Sequence, residues 1–342
     1  MKKEYSRFPW LLVPLLVLSN ALAACGGDSS GITDPDPEPE PVNEAALLVA
    51  YTEGLGYDIH GGFVISASDV RTNQVSGGSQ YVIDMRSATD FAKGHIQGAV
   101  NVTIAGLADH LSSMNPAASS YGTIVLVCYS GQTAAFAVGA VRAAGYTNVK
   151  SMKWGMSSWH TDFSTSWVNN RSNARASEFV KGASPAMRPA GDLPKLSTGL
   201  TTGADIAKAR MKEVLAAGFG AGSITHANLY LNLAGHYVVN FWPKATYEGT
   251  GHINGSILYD PAAKPFLSTT FLKTLPTDKP VVPYCYTGQT SAYLSGYLRV
   301  LGYDARSLLY GANGMIFDQM RADGVPNAFV PEAEVKNYEY VK

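Results

Sequence analysis

Residues 122–145 read GTIVLVCYSGQTAAFAVGAVRAAG, and the folding of this run governs the rest of the chain. Thr123–Val127 is β-branched and apolar between polar or glycine boundaries, the pattern of a buried strand. From Thr133 onward the residues are small and apolar nearly all round until Gly145, which predicts a buried helix with a glycine stop. Cys128 therefore stands at the carboxyl end of a strand and just before a helix, the place where open α/β sheets present their ligand sites. Backbone N–H groups of a tight loop and the unpaired donors of the helix N-terminus favour an anion there. A thiolate in that setting is expected to have a lowered pKa and to be the competent nucleophile. Gly131 supplies the backbone freedom that curls the loop around the sulfur. Ser130 and Thr133 are candidate hydroxyl donors, Gln132 reads as a rim or early helix position, and Tyr129 as a wall or lid aromatic.

The same loop occurs again as CYTGQTS, residues 285–291. A lone cysteine ending a strand is commonly a small buried hydrophobe, but a repeated Cys-Tyr-x-Gly-Gln-Thr pattern favours a functional loop. Cys285 is the second candidate nucleophile, with Tyr286, Thr287, Gly288, Gln289 and Thr290 as its cradle. A separation of 157 residues also aligns His95 with His252, within ATDFAKGHIQGAV and ATYEGTGHINGSI, and Gly145 with Gly302. A period this long is a domain duplication and not a solenoid.

In each copy strands alternate with helices. SQYVIDM and GHYVVNF read as buried strands, and SATDFAKG as a short helix capped by Ser87 and stopped at Gly94. The fold class is α/β: two domains, each a mostly parallel sheet with helices on both faces. Domain 1 spans 45–163 and a more divergent domain 2 spans 204–335, with the polar segment 164–203 as linker. A chain of 342 residues suits two cores. Pro283 interrupts VVPYC, where a central strand would lose a donor.

The N-terminal segment is of another kind. Lys2, Lys3 and Arg7 precede the apolar run FPWLLVPLLVL, too short for a spanning helix, and LAAC closes at Cys25. The arrangement resembles the lipobox of bacterial lipoproteins, which implies a signal peptide over 1–24, lipidation at Cys25 and a membrane partner through that lipid. Residues 25–44, GGDSSGITDPDPEPEPVNE preceded by Cys25, read as an acidic, proline-rich tether. The resulting location is the cell envelope: the periplasmic face, or the outer membrane in a Gram-negative source. With Cys25 lipidated, only Cys128 and Cys285 of the three cysteines remain, and a disulfide between them would have to cross between the copies.

Taken together, YVIDMRSATDFAKGHIQGAVNV, CYSGQTAA and GYTNVKSMKWGMSSW resemble the rhodanese family of sulfurtransferases; the second copy resembles it more loosely. The resemblance implies that Cys128 and Cys285 carry sulfur as a persulfide, cradled by 129–133 and 286–290. The donor would be thiosulfate, mercaptopyruvate or a polysulfide-like compound, and the acceptor a thiol or cyanide. Asp84 and Arg86 match the family's strand-end D-x-R, with the role of holding loops; the second copy has Asn240 and Trp242 there. Neither loop contains Arg or Lys, so a charged donor would rely on backbone dipoles. The related phosphatases place an arginine six residues after the cysteine, where this chain has Ala134 and Ser291, so phosphotransfer is set aside. A non-catalytic sulfane-sulfur carrier, or a redox or sulfur sensor, is the alternative. The histidines lack metal-site spacing and no phosphate or dinucleotide glycine fingerprint follows a strand, so no metal and no cofactor is expected. His95 and His252 read as turn residues with a structural hydrogen bond. The net charge of −1 excludes a dedicated nucleic-acid binder.

Overall fold

In the computed structural model, which describes residues 42–342, the strand expected before Cys128 sits at the centre of a five-stranded parallel sheet. The strands are β1 (Val64–Ile65), β2 (Gln80–Asp84), β3 (Val100–Asn101), β4 (Thr123–Val127) and β5 (Val149–Met152), in the spatial order β1-β5-β4-β2-β3. Such parallel strands are covered on both faces, which is why β4 reads as a continuous apolar run. The expected signal segment, Cys25 and most of the expected tether lie outside the described residues.

A lone antiparallel strand, β6 (Phe179–Val180), pairs with β9 (His252–Ile253). The second copy repeats the parallel order with β7 (Ser223–Ile224), β8 (Tyr237–Asn240), β10 (Ile257–Leu258), β11 (Val281–Tyr284) and β12 (Ser307–Leu308), but its sheet is split. β10, β8 and β11 form one piece and β12 and β7 another, touching only through the bridge of Val281 to Ala305. The cause is Pro283. Ile124 N donates to Asn148 in the first copy, and Val281 N donates to Asp304 in the second. The next donor along that edge belongs to Leu126 in β4 and is missing from Pro283 in β11, so the ladder stops there.

Four helices decide how the copies meet: α1 (Glu44–Gly54), α2 (Gln132–Ala143), α3 (Gly203–Ala221) and α4 (Gln289–Val300). The helices that follow the two cysteines, α2 and α4, cross against each other at Gly139 and Gly296. A Cβ on Gly139 would collide with the Tyr293 carbonyl oxygen, and one on Gly296 with that of Phe136. At this spacing the two helices share one core. Phe136, Val138, Val141, Tyr293, Leu294 and Tyr297 belong to a single apolar cluster that draws on both copies. Residues 42–342 are accordingly one compact unit, and the expectation of two separate cores gives way to a shared core with smaller clusters on each outer face.

Two boundaries also move. Glu44, assigned to the tether, is the first residue of α1 and is buried, its carboxylate accepting from Thr198 N and Oγ1 and from Gly199 N. The segment 164–203 is not a free linker: Trp167 is fully buried, and β6 is held by its pairing with β9. Residues beyond 335 cross back to the first copy, where Tyr338 N donates to Trp159, and His95 and Val341 exchange backbone bonds.

The helix crossing makes a signed prediction. Gly139→Ala in an exposed helix would be mildly stabilising through propensity; here the added methyl must push α4 away. Urea unfolding should show Gly139→Ala less stable by roughly 1–3 kcal/mol, and a gain in stability would contradict the close approach.

Candidate active site

Cys128 directly follows the last residue of β4 and is 2% exposed. Gly131, in the left-handed region at φ 83°, turns the chain back over the sulfur. Cys128 Sγ then accepts from Gly131 N at 3.1 Å and Ala134 N at 3.4 Å, the donors at the start of α2. This is the anion-facing arrangement expected from the strand–loop–helix pattern. A back plate closes the loop from behind: Met156 N donates to Cys128 O and Ser157 N to Tyr129 O. Gly155 lies so close that a Cβ there would collide with the Cys128 carbonyl oxygen. Ser151 Oγ donates to Gly131 O, and Trp167 Nε1 to Ser130 O.

Burial works against the thiolate. It pushes the Cys128 thiol above its ordinary value, and the N–H groups of Ala134, Ser130 and Gly131 pull it only part of the way back, with Asp84 adding a small upward push. The lowered thiol pKa expected from the loop pattern is therefore corrected. A sequence pattern displays the donors but not the desolvation that accompanies closure.

Around the loop, Asp84 and Arg86 form a buried ion pair at 2.6 Å, and Arg86 Nη2 also donates to Gly94 O. The guanidinium lies 5.9 Å from the Tyr129 ring centre and 5.2 Å from that of Phe163. Tyr129 is the exposed edge of the site, 42% accessible, and its hydroxyl donates to the Asp90 carboxylate. Lys93, Tyr129 and Ser87 hold that carboxyl well below the usual range.

The loop hydroxyls depart from the sequence reading. Ser130 Oγ accepts from Gln132 Nε2, and Thr133 and Thr290 make no hydrogen bond to either sulfur. Gln132 and Gln289 are early helix positions, each the first residue of its helix, and not rim residues: both are buried, and each crosses to the opposite copy. His95 and His252 bond by Nδ1 to the carbonyl oxygens of Phe91 and Tyr247, each at 3.0 Å, and stack on those rings. Among the described residues no cluster of metal-ligating side chains occurs, and no helix is long and apolar enough to cross a membrane.

Cys285 is the counterpart, 3% exposed, with Gly288 at φ 75°. Its sulfur accepts from Ser291 N at 3.4 Å, and two hydroxyls flank it, Ser291 Oγ at 3.7 Å and Thr287 Oγ1 at 3.8 Å. Ala312 N and Asn313 N hold the loop carbonyls from behind, as Met156 and Ser157 do in the first copy. In place of Arg86, Trp242 stacks against Tyr286 with ring centres 5.1 Å apart. Both cysteines are free thiols.

A family model described as "Rhodanese-like domain" matches residues 66–162, the first copy. The thiosulfate sulfurtransferase GlpE of Shewanella oneidensis is 32% identical over 82 residues, which are 24% of this chain and 77% of that protein. The chain belongs to the rhodanese family. The protein of the same name from Pseudomonas fluorescens is 29% identical over 82 residues, 24% of this chain and 72% of its own. Among solved structures, a rhodanese-like domain protein from Staphylococcus aureus covers 28% of this chain and 88% of its own at 21% identity and a TM-score of 0.25. A thiosulfate sulfurtransferase from Pseudomonas aeruginosa covers 88% of this chain and 49% of its own at 15% identity and a TM-score of 0.30. The rhodanese match thus falls on the copy that holds Cys128, Asp84 and Arg86.

Because burial raises the Cys128 thiol, its thiolate fraction should keep growing above the ordinary thiol value of about 8.5. Iodoacetamide labelling followed by peptide mass spectrometry should place the Cys128 midpoint above that pH. A midpoint near neutrality would refute the desolvated resting state.

Proposed function

We propose that the chain is a sulfurtransferase in which Cys128 carries sulfane sulfur as a persulfide. The observation that carries this reading is Cys128 Sγ facing the N–H groups of Gly131 and Ala134 at the start of α2, inside the part of the chain that matches the rhodanese model.

The chemistry follows from the site. The Cys128 thiol first loses its proton, and the thiolate attacks the outer sulfur of the donor. The new S–S bond forms as the donor's own bond to that sulfur breaks, and the leaving group departs with the electron pair; from thiosulfate it is sulfite. The persulfide is again an anion, and the same backbone donors face it. An acceptor thiolate or cyanide then takes the outer sulfur, and the Cys128 thiolate leaves. No external oxidant or reductant is consumed. Arg86 is engaged with Asp84 and no cation belongs to the loop, so the cradle relies on dipoles and suits a neutral organic or polysulfide-like donor whose outer sulfur is bonded to another sulfur. Asp84 and Arg86 act by holding the loop next to Tyr129 and Gly94. Cys285, with the hydroxyls of Thr287 and Ser291 beside it, is the second carrier.

One observation favours the slower alternative, a sulfane-sulfur carrier or sensor: Cys128 is nearly inaccessible, and burial pushes its thiol above the ordinary value. Two measurements separate the readings. Thiocyanate release from thiosulfate or mercaptopyruvate with cyanide should fall at least about 100-fold in Cys128→Ser, on the scale of losing a nucleophile. Unchanged turnover in Cys128→Ser, in Cys285→Ser and in the double variant would remove the catalytic assignment. A gain of one sulfur mass on the Cys128 peptide without turnover would support the carrier.

The location proposal is separate and rests on Lys2, Lys3, Arg7, the apolar run and Cys25 in the sequence. Cys25 carries the lipid, and the tether holds the body off the envelope membrane. Metabolic labelling with palmitate should be lost in Cys25→Ser; retained labelling would place the lipid elsewhere or show none is attached there.

A further inference from the structure

The two cysteine loops exchange glutamines. Gln289 is the first residue of α4 in the second copy, yet its side chain makes no hydrogen bond within its own loop. Its Oε1 accepts from Trp154 N of the first copy at 2.9 Å, and its Nε2 reaches Met152 O at 3.4 Å. Gln132, the first residue of α2, does the reverse: its Oε1 accepts from Tyr310 N of the second copy at 2.8 Å. Both side chains are buried.

The donor positions are matched as well. Trp154 and Tyr310 are non-glycine residues in the left-handed region, at φ 64° and 60°, a conformation that persists only where the surroundings hold it. Each is followed by a glycine pressed against the back of a cysteine loop. A Cβ on Gly155 would collide with Cys128 O, and one on Gly311 with Cys285 O. From there the plates bond forward, Met156 N to Cys128 O and Ala312 N to Cys285 O. The loop glycines complete the exchange: a Cβ on Gly131 would collide with the Gln289 amide, and one on Gly288 with that of Gln132. Gly131 and Gly288 thus leave room for the crossing side chain in addition to adopting their own backbone angles.

We infer that Gln289 is a positioning residue for the Cys128 loop and Gln132 for the Cys285 loop, so that each copy fixes the sulfur site of the other. A buried N–H that loses its only acceptor must find another or open to water, and Trp154 N has Gln289 as its side-chain acceptor. Releasing it frees the back plate, and with it the carbonyl of Cys128. The consequence for sulfur transfer rests on the function proposed above; the geometry of the thiol does not.

Gln289 provides the cleaner test, because Gln132 Nε2 also bonds Ser130 in its own loop. In the full chain, Gln289→Met keeps the volume and removes the acceptor, whereas Gln289→Glu keeps an acceptor oxygen. Iodoacetamide labelling rates of both thiols are then read by peptide mass spectrometry. Gln289→Met should speed labelling of Cys128, opened by loss of its back plate, by about five- to tenfold, the scale of one hydrogen bond. Cys285, whose sulfur makes no hydrogen bond to that side chain, should keep its rate, and Gln289→Glu should return Cys128 toward the unaltered rate. An unchanged Cys128, or equal changes at both cysteines, would overturn the inference. Should the Met variant not fold, amide exchange in the unaltered protein decides: Trp154 and Tyr310 N–H should be strongly protected, and exchange at open-loop rates would overturn it. Sulfur transfer is a separate readout, so its absence with selective labelling would sink the functional proposal alone.

Discussion

Close contact between α2 and α4 at Gly139 and Gly296 is the constraint on which the rest of the molecule depends. Backbone meets backbone there, since each glycine lies under a carbonyl of the opposite helix. The crossing makes one core out of two copies. Because each helix begins at a cysteine loop, it also sets the two loops side by side. The distance that a glutamine side chain can span then becomes the distance between one loop and the back plate of the other.

Within that near-symmetry the copies differ in how they support the sulfur. The first uses a buried ion pair, Asp84 with Arg86, whose guanidinium faces Tyr129 and Phe163. A buried pair is costly to desolvate and is retained where its geometry is needed. The second puts Trp242 against Tyr286 and leaves the Asn240 side-chain amide and the Trp242 indole nitrogen without hydrogen-bond partners. Pro283 opens its sheet between β11 and β12, while Ser291 and Thr287 bring hydroxyls close to Cys285; in the first site Ala134 stands in place of Ser291, and the Ser130 hydroxyl accepts from Gln132 instead. The two sulfurs therefore sit in the same backbone turn with different chemistry around it.

Much of this was legible locally. The strand to Val127, the helix stopping at Gly145, the Ser87 cap and the left-handed glycines 131 and 288 follow from short-range patterns in φ, hydrophobicity and capping. Trp167 was harder to place, because it stands in a polar stretch with no period, and only its burial beside Trp154 and Phe329 shows it bracing Ser130. The return of the C-terminal residues to His95 and Trp159 had no signal, since a backbone bridge between segments more than 170 residues apart leaves no mark on residue type.

The sequence by itself determined the duplication, the α/β class and the cysteine's position at a strand end, because each is written in residue spacing and local propensity. Tertiary structure alone decided where the glutamines reach and the upward push on the Cys128 thiol. A polar side chain at a helix start looks the same whether it meets water or the opposite copy. Likewise, the donors that favour a thiolate are local, whereas the burial that opposes it comes from everything packed over the loop.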